Sequence, residues 1–273
     1  MIVSRRPTAA GVFYPASRDE LTRRLGELFD AQRAGTPRGV SRHGHVKAIV
    51  APHAQYDASG VVAATAWARA VAHRAHIQRL IVLGPTHHVP FSGVAAPLIE
   101  AFETPLGALE IDRVAIETAR RWPQLFLSDM PHDQEHSIEV QLPFAQALLE
   151  APMLVPLLIG DASDEEVAAV LETVWSESAL IVVSTDLSRY HDAATAGRLD
   201  EATASAIEQS RPDAIDPERA CADVAVRALM RFAKRHGLRA TRLALHRAAP
   251  WGVDARCEDA TAEVFGFGAF AFA

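Results

Sequence analysis

Short runs of continuous apolar residues alternate along this chain with longer segments that are rich in alanine or amphipathic. Four of the runs contain many β-branched residues and end near glycine, proline or aspartate, which is typical of strands buried on both faces. These predicted strands are residues 46–52, 79–88, 153–160 and 179–186. A further strand is predicted at residues 261–273, where small residues alternate with valine and phenylalanine.

Segments typical of helices lie between the predicted strands. Residues 59–73 are rich in alanine, and residues 164–176 open with acidic side chains, which favour the positive end of a helix dipole. Further helices are predicted at residues 21–33, 113–121, 137–150, 195–209 and 217–236. Continuous apolar strands that alternate with helices predict the α/β class, with a mostly parallel central sheet covered by helices on both faces.

The length of 273 residues fits either one large α/β domain or two closely packed halves. Hydrophobic residues make up 49% of the chain and charged residues 22%, which is ordinary globular composition. We expect a single domain over residues 1–273. Residues 34–45, which contain several glycines and a proline, are the one internal segment that is typical of a linker.

The charge pattern excludes several classes of protein. The net charge is −7 and the basic residues occur in scattered pairs, whereas nucleic-acid binding needs clustered positive charge. The apolar runs are much shorter than the roughly 20 residues that cross a bilayer, and no apolar segment follows Arg5 and Arg6 as an export signal would require. We therefore expect a cytoplasmic protein that contacts neither nucleic acid nor membrane.

Its two cysteines, Cys221 and Cys257, are expected to be reduced.

Polar side chains follow three of the predicted strands. His53 follows the first, His87 and His88 lie at the end of the second, and Asp186 ends the strand at residues 179–186. Because the carboxyl ends of parallel strands meet at one edge of a sheet, we expect these side chains to converge. Two imidazoles at that edge are either the beginning of a metal site or hydrogen-bond donors to the loop backbone. The adjacent His87 and His88 point in opposite directions in an extended chain, so only one of them can face the site.

Two other candidates are ambiguous from the residues alone. Cys221 lies in the predicted helix 217–236 among apolar residues at helical spacing, which is typical of a cysteine that packs in the core. Residues 132–136 spell His-x-x-Glu-His, the inverted zincin pattern, which needs both histidines on one helical face. Pro131 and a helix cap at Ser137 predict a loop there instead. That loop could orient a ligand histidine, bind an anion, or simply face solvent.

Several motifs follow one another in order along nearly the whole chain. They include AGVFYP at 10–15, APHAQY at 51–56, LGPTHHV at 83–89, EHSIE at 135–139, LPF at 142–144 and VVSTD at 182–186. Together they resemble the Memo family, whose bacterial member is the Memo-like protein B of the AmmeMemoRadiSam system. The resemblance implies one three-layer αβα domain, related in fold to the class III extradiol dioxygenases, with a non-haem metal pocket at one edge of the sheet.

Carried over residue by residue, the resemblance implies that His53, His87 and Cys221 are metal ligands. It favours iron as the metal, with copper or zinc as alternatives. The catalytic positions that it implies are Asp186, Arg189 and His136. The substrate pocket would include Phe13, Tyr14, Tyr56, His88 and Glu135. The expected partners are a small-molecule or peptide ligand and other components of the AmmeMemoRadiSam system.

This chain departs from the family at Arg189, where relatives carry a histidine at the acid–base position. Arginine keeps its proton at neutral pH and cannot act as a general base, although it could hold an anion by charge. Gln55 also replaces a usual glycine. We therefore expect a metal-dependent redox or dioxygenase-like enzyme of unknown substrate. A non-catalytic metal- or peptide-binding protein is the alternative that Arg189 favours, and a zinc hydrolase is a third.

Overall fold

A computed structural model describes residues 3–35, 45–249 and 263–273 of the chain. Its strands, in chain order, are β1 (Ser4–Arg5), β2 (Ala48–Ala51), β3 (Arg79–Pro85), β4 (Val94–Ala96), β5 (Ala101–Thr104), β6 (Gly107–Glu110), β7 (Leu125–Leu127), β8 (Met153–Ile159), β9 (Ala179–Ser184), β10 (His191–Asp192), β11 (Ala240–Ala248) and β12 (Glu263–Phe272). Strands β1, β5 and β6 form a small sheet, and the others form the central sheet.

The central sheet has the order β10-β12-β2-β9-β3-β8-β4-β7, with β11 paired to β12. The four strands β2, β9, β3 and β8 are mutually parallel. On one side β12 runs antiparallel to β2, and on the other β4 runs antiparallel to β8. The predicted parallel sheet is therefore present at the centre, and the complete sheet is mixed.

The helices are α1 (Arg18–Gly35), α2 (Tyr56–Ala70), α3 (Arg113–Ala119), α4 (Met130–Asp133), α5 (Leu142–Leu148), α6 (Asp164–Val174), α7 (Ala193–Glu208) and α8 (Asp223–Arg235). The connection β2-α2-β3 crosses the sheet in one direction and β8-α6-β9 in the other. Because such crossovers are right-handed, α2 and α6 cover opposite faces. The α/β class and the αβα layering are confirmed. In the part of the chain that the structure describes, no helix is both long and apolar enough to cross a bilayer.

Two of the predicted helices were wrong in extent. The helix predicted at 137–150 is instead a short 3-10 turn, Glu139–Gln141, followed by α5. Pro143 lacks the N–H that would bond to the Glu139 carbonyl, so a regular helix cannot continue through this point. The helix predicted at 217–236 begins only at Asp223, which places Cys221 in the turn before it.

Some regions of the prediction have no counterpart or cannot be compared. Strand β11 was not predicted, because most of its residues are only half buried and its apolar residues give no clear alternation. Most of the predicted linker, residues 36–44, and Cys257 lie outside the described residues. The C-terminal strand is present as β12, within the predicted range 261–273.

Candidate metal centre

The carboxyl ends of the parallel strands deliver three polar side chains to one edge of the sheet. His53 lies two residues after β2, His87 two residues after β3, and Asp186 two residues after β9. Strands β2 and β9 are in register at Ala51 and Ser184, so His53 and Asp186 lie at the same level. The backbone N–H of His53 donates to Asp186 Oδ1 at 3.0 Å.

Three imidazoles meet at this edge. The ligand atoms of His53, His87 and His136 all lie within 4.8 Å of one another, and this group could hold a metal ion. The His53 and His87 ring centroids are 5.2 Å apart, and the His87 and His136 rings stack at 4.7 Å. Only His53 is fully buried, so the cluster opens towards solvent on the side of the other two rings.

Cys221 lies beside this cluster, in the turn that precedes α8. Its sulfur lies 3.5 Å from His53 Nε2 and accepts a hydrogen bond from the Asp186 backbone at 3.2 Å. In a tetrahedral metal site, nitrogen lies about 2.0–2.1 Å and sulfur about 2.3 Å from the metal. The nitrogen and sulfur atoms of two such ligands are then about 3.5 Å apart. The spacing and chemistry of the thiol and the imidazole therefore fit a shared metal ion.

Glu135 orients His87. The Glu135 Oε1 atom lies 2.9 Å from His87 Nδ1, and Oε2 accepts the His87 backbone N–H at 2.6 Å. Although burial disfavours a carboxylate, the hydrogen bond from His87 holds the pKa of Glu135 below its ordinary value. An ionised carboxylate can only accept, so Nδ1 of His87 carries a proton, and Nε2 is the nitrogen that can bind a metal once it has lost its own proton.

The cluster shifts the acidities of its members in opposite directions. Burial disfavours the imidazolium of His87, but hydrogen bonds to Cys221 and Glu135 raise its pKa to about 9. Burial likewise disfavours the thiolate, yet the neighbouring His53 lowers the pKa of Cys221 to about 6. Burial and the proximity of His53 lower the pKa of His136. At neutral pH the thiol is therefore ionised and His136 is neutral.

The loop that carries Glu135 and His136 is held by a buried arginine from β1. Arg5 donates from Nε to the His132 carbonyl at 2.6 Å and from Nη2 to the Glu135 carbonyl at 2.8 Å. Its Nη1 atom pairs with the carboxylate of Glu139 at 2.5 Å, and both side chains are buried. His132 points away from the cluster, because its Nε2 bonds to the Ala95 carbonyl at 3.1 Å. The two histidines of the inverted zincin pattern therefore do not share a site.

The predicted pocket residues have different surroundings. Phe13 stacks on the ring of His136 at 4.1 Å, and the exposed His88 ring lies 6.2 Å from it. The hydroxyl of Tyr14 donates to Glu139 at 2.5 Å and that of Tyr56 to the Val140 carbonyl at 2.8 Å. Both tyrosines are buried, and their hydrogen bonds hold the residues that directly follow the loop of Glu135 and His136.

Arg189 is half buried in the loop after β9. Within residues 3–35, 45–249 and 263–273 its side chain has no hydrogen bond or ion pair, so no contact there ties it to the imidazoles.

A cavity of about 340 Å³ adjoins His87 and Cys221. Its wall is mainly apolar, and it is lined by Pro85, Thr86, Pro90, Phe91, Ile159, Gly160, Asp161, Ala222, Asp223, Val224 and Ala225. Sequence reasoning did not identify this wall, because its residues come from three separate segments of the chain and carry no shared pattern. It also did not assign a role to Ser184, whose hydroxyl lies 3.1 Å from His53 Nδ1, although Ser184 stands within a recognised motif.

Comparisons with known proteins agree on one family. The family model described as Memo-like protein matches residues 5–246. A MEMO1 family protein of Thermotoga maritima is 34% identical over 212 residues, which cover 72% of this chain and 75% of the relative. A MEMO1 family protein of Aquifex aeolicus is 32% identical over 208 residues, or 72% of each chain. One from Methanothermobacter thermautotrophicus is 34% identical over 194 residues, which are 68% of this chain and 70% of the relative.

Proposed function

From the premise that this chain belongs to the Memo-like protein family, we propose that it is a non-haem metal protein with redox or dioxygenase-like activity. In this proposal His53, His87 and Cys221 hold one metal ion. The observation that carries it is the position of the Cys221 sulfur, 3.5 Å from His53 Nε2 and beside a cluster of three imidazoles. A cysteine that served only to fill the core would not need its sulfur beside the ring nitrogen of a buried histidine.

Iron is the metal that we propose, with copper next. Imidazole and thiolate ligands suit iron, copper and zinc alike, and three protein ligands leave coordination positions open. A bound iron ion would supply redox chemistry that no side chain of this protein can supply itself. The protein's own residues would orient the ligands and the substrate. The lowered pKa of His136 keeps its ring neutral and makes it a weak base, so it is suited to accept a hydrogen bond from a substrate and not to hold a proton.

The proposed substrate is a small molecule that occupies the cavity beside His87 and Cys221. A volume of about 340 Å³ is at the lower end of the range for small-molecule sites. Among the described lining residues there is no lysine or arginine, whereas Asp161 and Asp223 add carboxylates. Because Asp223 pairs with Arg227, Asp161 is the remaining carboxylate of the wall, and it favours a neutral or cationic substrate over an anionic one.

The proposal is tested by metal analysis after anaerobic purification. We expect near-stoichiometric iron in the wild-type protein and an absorption band from thiolate-to-metal charge transfer. Cys221→Ser should abolish the band, and His87→Ala should remove most of the metal. His246→Ala, which changes an exposed histidine of β11, is the matched control and should keep both. The same trace of metal in the wild type and in Cys221→Ser would contradict the proposal.

A non-catalytic metal- or peptide-binding protein is the second candidate, and Arg189 at the usual acid–base position favours it. Oxygen uptake by the iron-loaded protein with small neutral or cationic substrates distinguishes the two. A zinc hydrolase is less well supported, because its only candidate base, Glu135, already accepts hydrogen bonds from His87 through both oxygens.

A further inference from the structure

A chain of buried hydrogen bonds leads from Trp67 to His53. The Trp67 indole donates to Gln141 Oε1 at 2.9 Å, and Gln141 Nε2 donates to Ser184 Oγ at 3.0 Å. Ser184 Oγ in turn lies 3.1 Å from His53 Nδ1. These four side chains are at most 2% exposed, so water does not compete for their bonds.

The direction of each bond is fixed by groups that can act in only one way. An indole N–H only donates, so the oxygen of the Gln141 amide faces Trp67. A backbone carbonyl only accepts, and the carbonyl of Pro52 lies 2.9 Å from Gln141 Nε2, which fixes the same orientation independently. The amide nitrogen of Gln141 therefore donates to Ser184.

The hydroxyl proton of Ser184 is also committed. Ser184 Oγ lies 2.6 Å from the Ser137 carbonyl oxygen, and that contact requires the hydroxyl proton between the two oxygens. The lone pairs of Ser184 therefore face Gln141 and His53. It follows that His53 Nδ1 is the donor in its contact with Ser184, and that in the neutral ring the lone pair lies on Nε2, on the Cys221 side.

We propose that Trp67, Gln141 and Ser184 are positioning residues that hold His53 in the Nδ1–H tautomer. This inference rests on the proposed metal centre, and it names the residues that prepare one of its ligands. A carboxylate does the same directly for His87, because Glu135 can only accept. A serine hydroxyl can donate or accept, so its direction has to be imposed from further away, here by Gln141 and the Ser137 carbonyl.

Nitrogen-15 NMR of the metal-free protein tests the tautomer without any substitution of Trp67, Gln141 or Ser184. At a pH where the ring is neutral, we expect His53 to show a protonated Nδ1 and an unprotonated Nε2. The resonance is assigned by its loss in His53→Gln. A protonated Nε2 on neutral His53 would overturn the proposal whatever the metal content of the protein.

Zinc affinity tests the consequence for binding. We expect Ser184→Ala to mix the two tautomers and to weaken Zn²⁺ binding by about 10–100-fold, the usual effect of losing an outer partner of a ligand histidine. Thr203→Val is the matched control, since Thr203 is equally buried and its hydroxyl donates to the Leu199 carbonyl at 2.7 Å within α7, away from the site. Equal zinc affinities in the two variants would overturn the proposal.

The two proposals fail in different ways. A wild-type protein that shows the Nδ1–H tautomer of His53 but does not bind Zn²⁺ or iron would contradict the metal centre. It would still support the positioning of His53 by Ser184. Metal binding together with the Nε2–H tautomer of His53 would contradict the role of the positioning residues and leave the metal centre in place.

Discussion

The side chains of the candidate metal centre differ in where their protons lie. His87 holds a proton that its neighbours stabilise, Cys221 has lost its proton, and His136 is neutral. Positions at strand ends were enough to predict His53 and His87 as candidates. Cys221 could be assigned only through the resemblance, because a core cysteine and a ligand cysteine have the same apolar neighbours in sequence.

Metal binding should release protons at neutral pH. The pKa of His87 is raised to about 9, so a metal must displace its proton, whereas the pKa of Cys221 is lowered to about 6 and the thiol is already ionised. We expect Zn²⁺ affinity to rise from neutral pH to about pH 9, by about tenfold per pH unit for each displaced proton. Calorimetry in buffers of different ionisation enthalpy counts these protons.

Glu135→Gln is the companion variant for this measurement. It removes the carboxylate that helps to raise the pKa of His87, so fewer protons should be released and the pH dependence should flatten. An affinity in the wild type that does not change over this pH range would contradict the assignment of the proton to His87.

His136 should contribute less to metal affinity than His87 does. In the proposed site His136 is a neutral hydrogen-bond acceptor, although its ligand atom lies close enough to join the metal. We expect His136→Ala to weaken Zn²⁺ binding by less than about tenfold. His87→Ala should weaken it by more than the roughly 100-fold that marks the upper effect of outer partners. Equal losses, measured by competition with a chelating dye, would instead make His136 a ligand.

At the scale of elements, the ends of strands and helices determine the site. The apolar spacing of α8 continues upstream of Asp223, which explains why a longer helix was predicted. The N–H groups of Cys221 and Ala222 bond instead to the Asp186 carbonyl and to Thr185 Oγ1 at 3.1 Å and 3.0 Å. These long-range bonds delay the start of the helix to Asp223, and periodicity in the sequence contains no information about them.

Gly84, near the end of β3, has no room for a side chain. A Cβ atom there would lie 2.6 Å from Ser137 Oγ and 3.1 Å from Ser137 Cβ, so the loop beside His136 would have to move. We expect Gly84→Ala to lower stability by about 1–3 kcal/mol and to weaken zinc binding. Denaturant unfolding and zinc titration measure the two effects.

Gly26→Ala is the control for the same substitution. Gly26 lies inside α1, and a Cβ atom there would meet nothing within 4 Å. Alanine should therefore stabilise the helix by about 0.5–1 kcal/mol and leave zinc affinity unchanged. If the two variants behaved alike, the loop around Ser137 would not depend on Gly84.

At the scale of the whole molecule, the sheet order brings together residues that are far apart along the chain. Alternating strands and helices predicted the layers and the edge at which chemistry occurs. The pairing of Arg5 with Glu139, across a separation of 134 residues, could not be predicted, because a charged residue does not reveal its partner. This pair connects β1 to the loop that carries Glu135 and His136, so the first described strand supports the candidate metal centre.

Arg5→Ala should therefore be among the most damaging substitutions away from the cluster. It would leave the Glu139 carboxylate buried and without its cation, since the two side chains are only 5% and 0% exposed. Loss of one partner of a buried ion pair costs about 3–5 kcal/mol, and the Glu135 and His132 carbonyls would lose their donors as well. We expect a loss of this size in denaturant unfolding, together with weaker zinc binding.

Arg23→Ala is the control that separates the effect of losing a buried ion pair from the effect of losing one positive charge. Arg23 pairs with Glu27 on the surface of α1, where the side chains are 66% and 45% exposed, and such pairs contribute about 0–1 kcal/mol. Both variants remove one arginine, so a general effect of net charge would be common to them. If Arg5→Ala cost no more than Arg23→Ala, the loop would be held by its own hydrogen bonds, and β1 would have no part in shaping the metal centre.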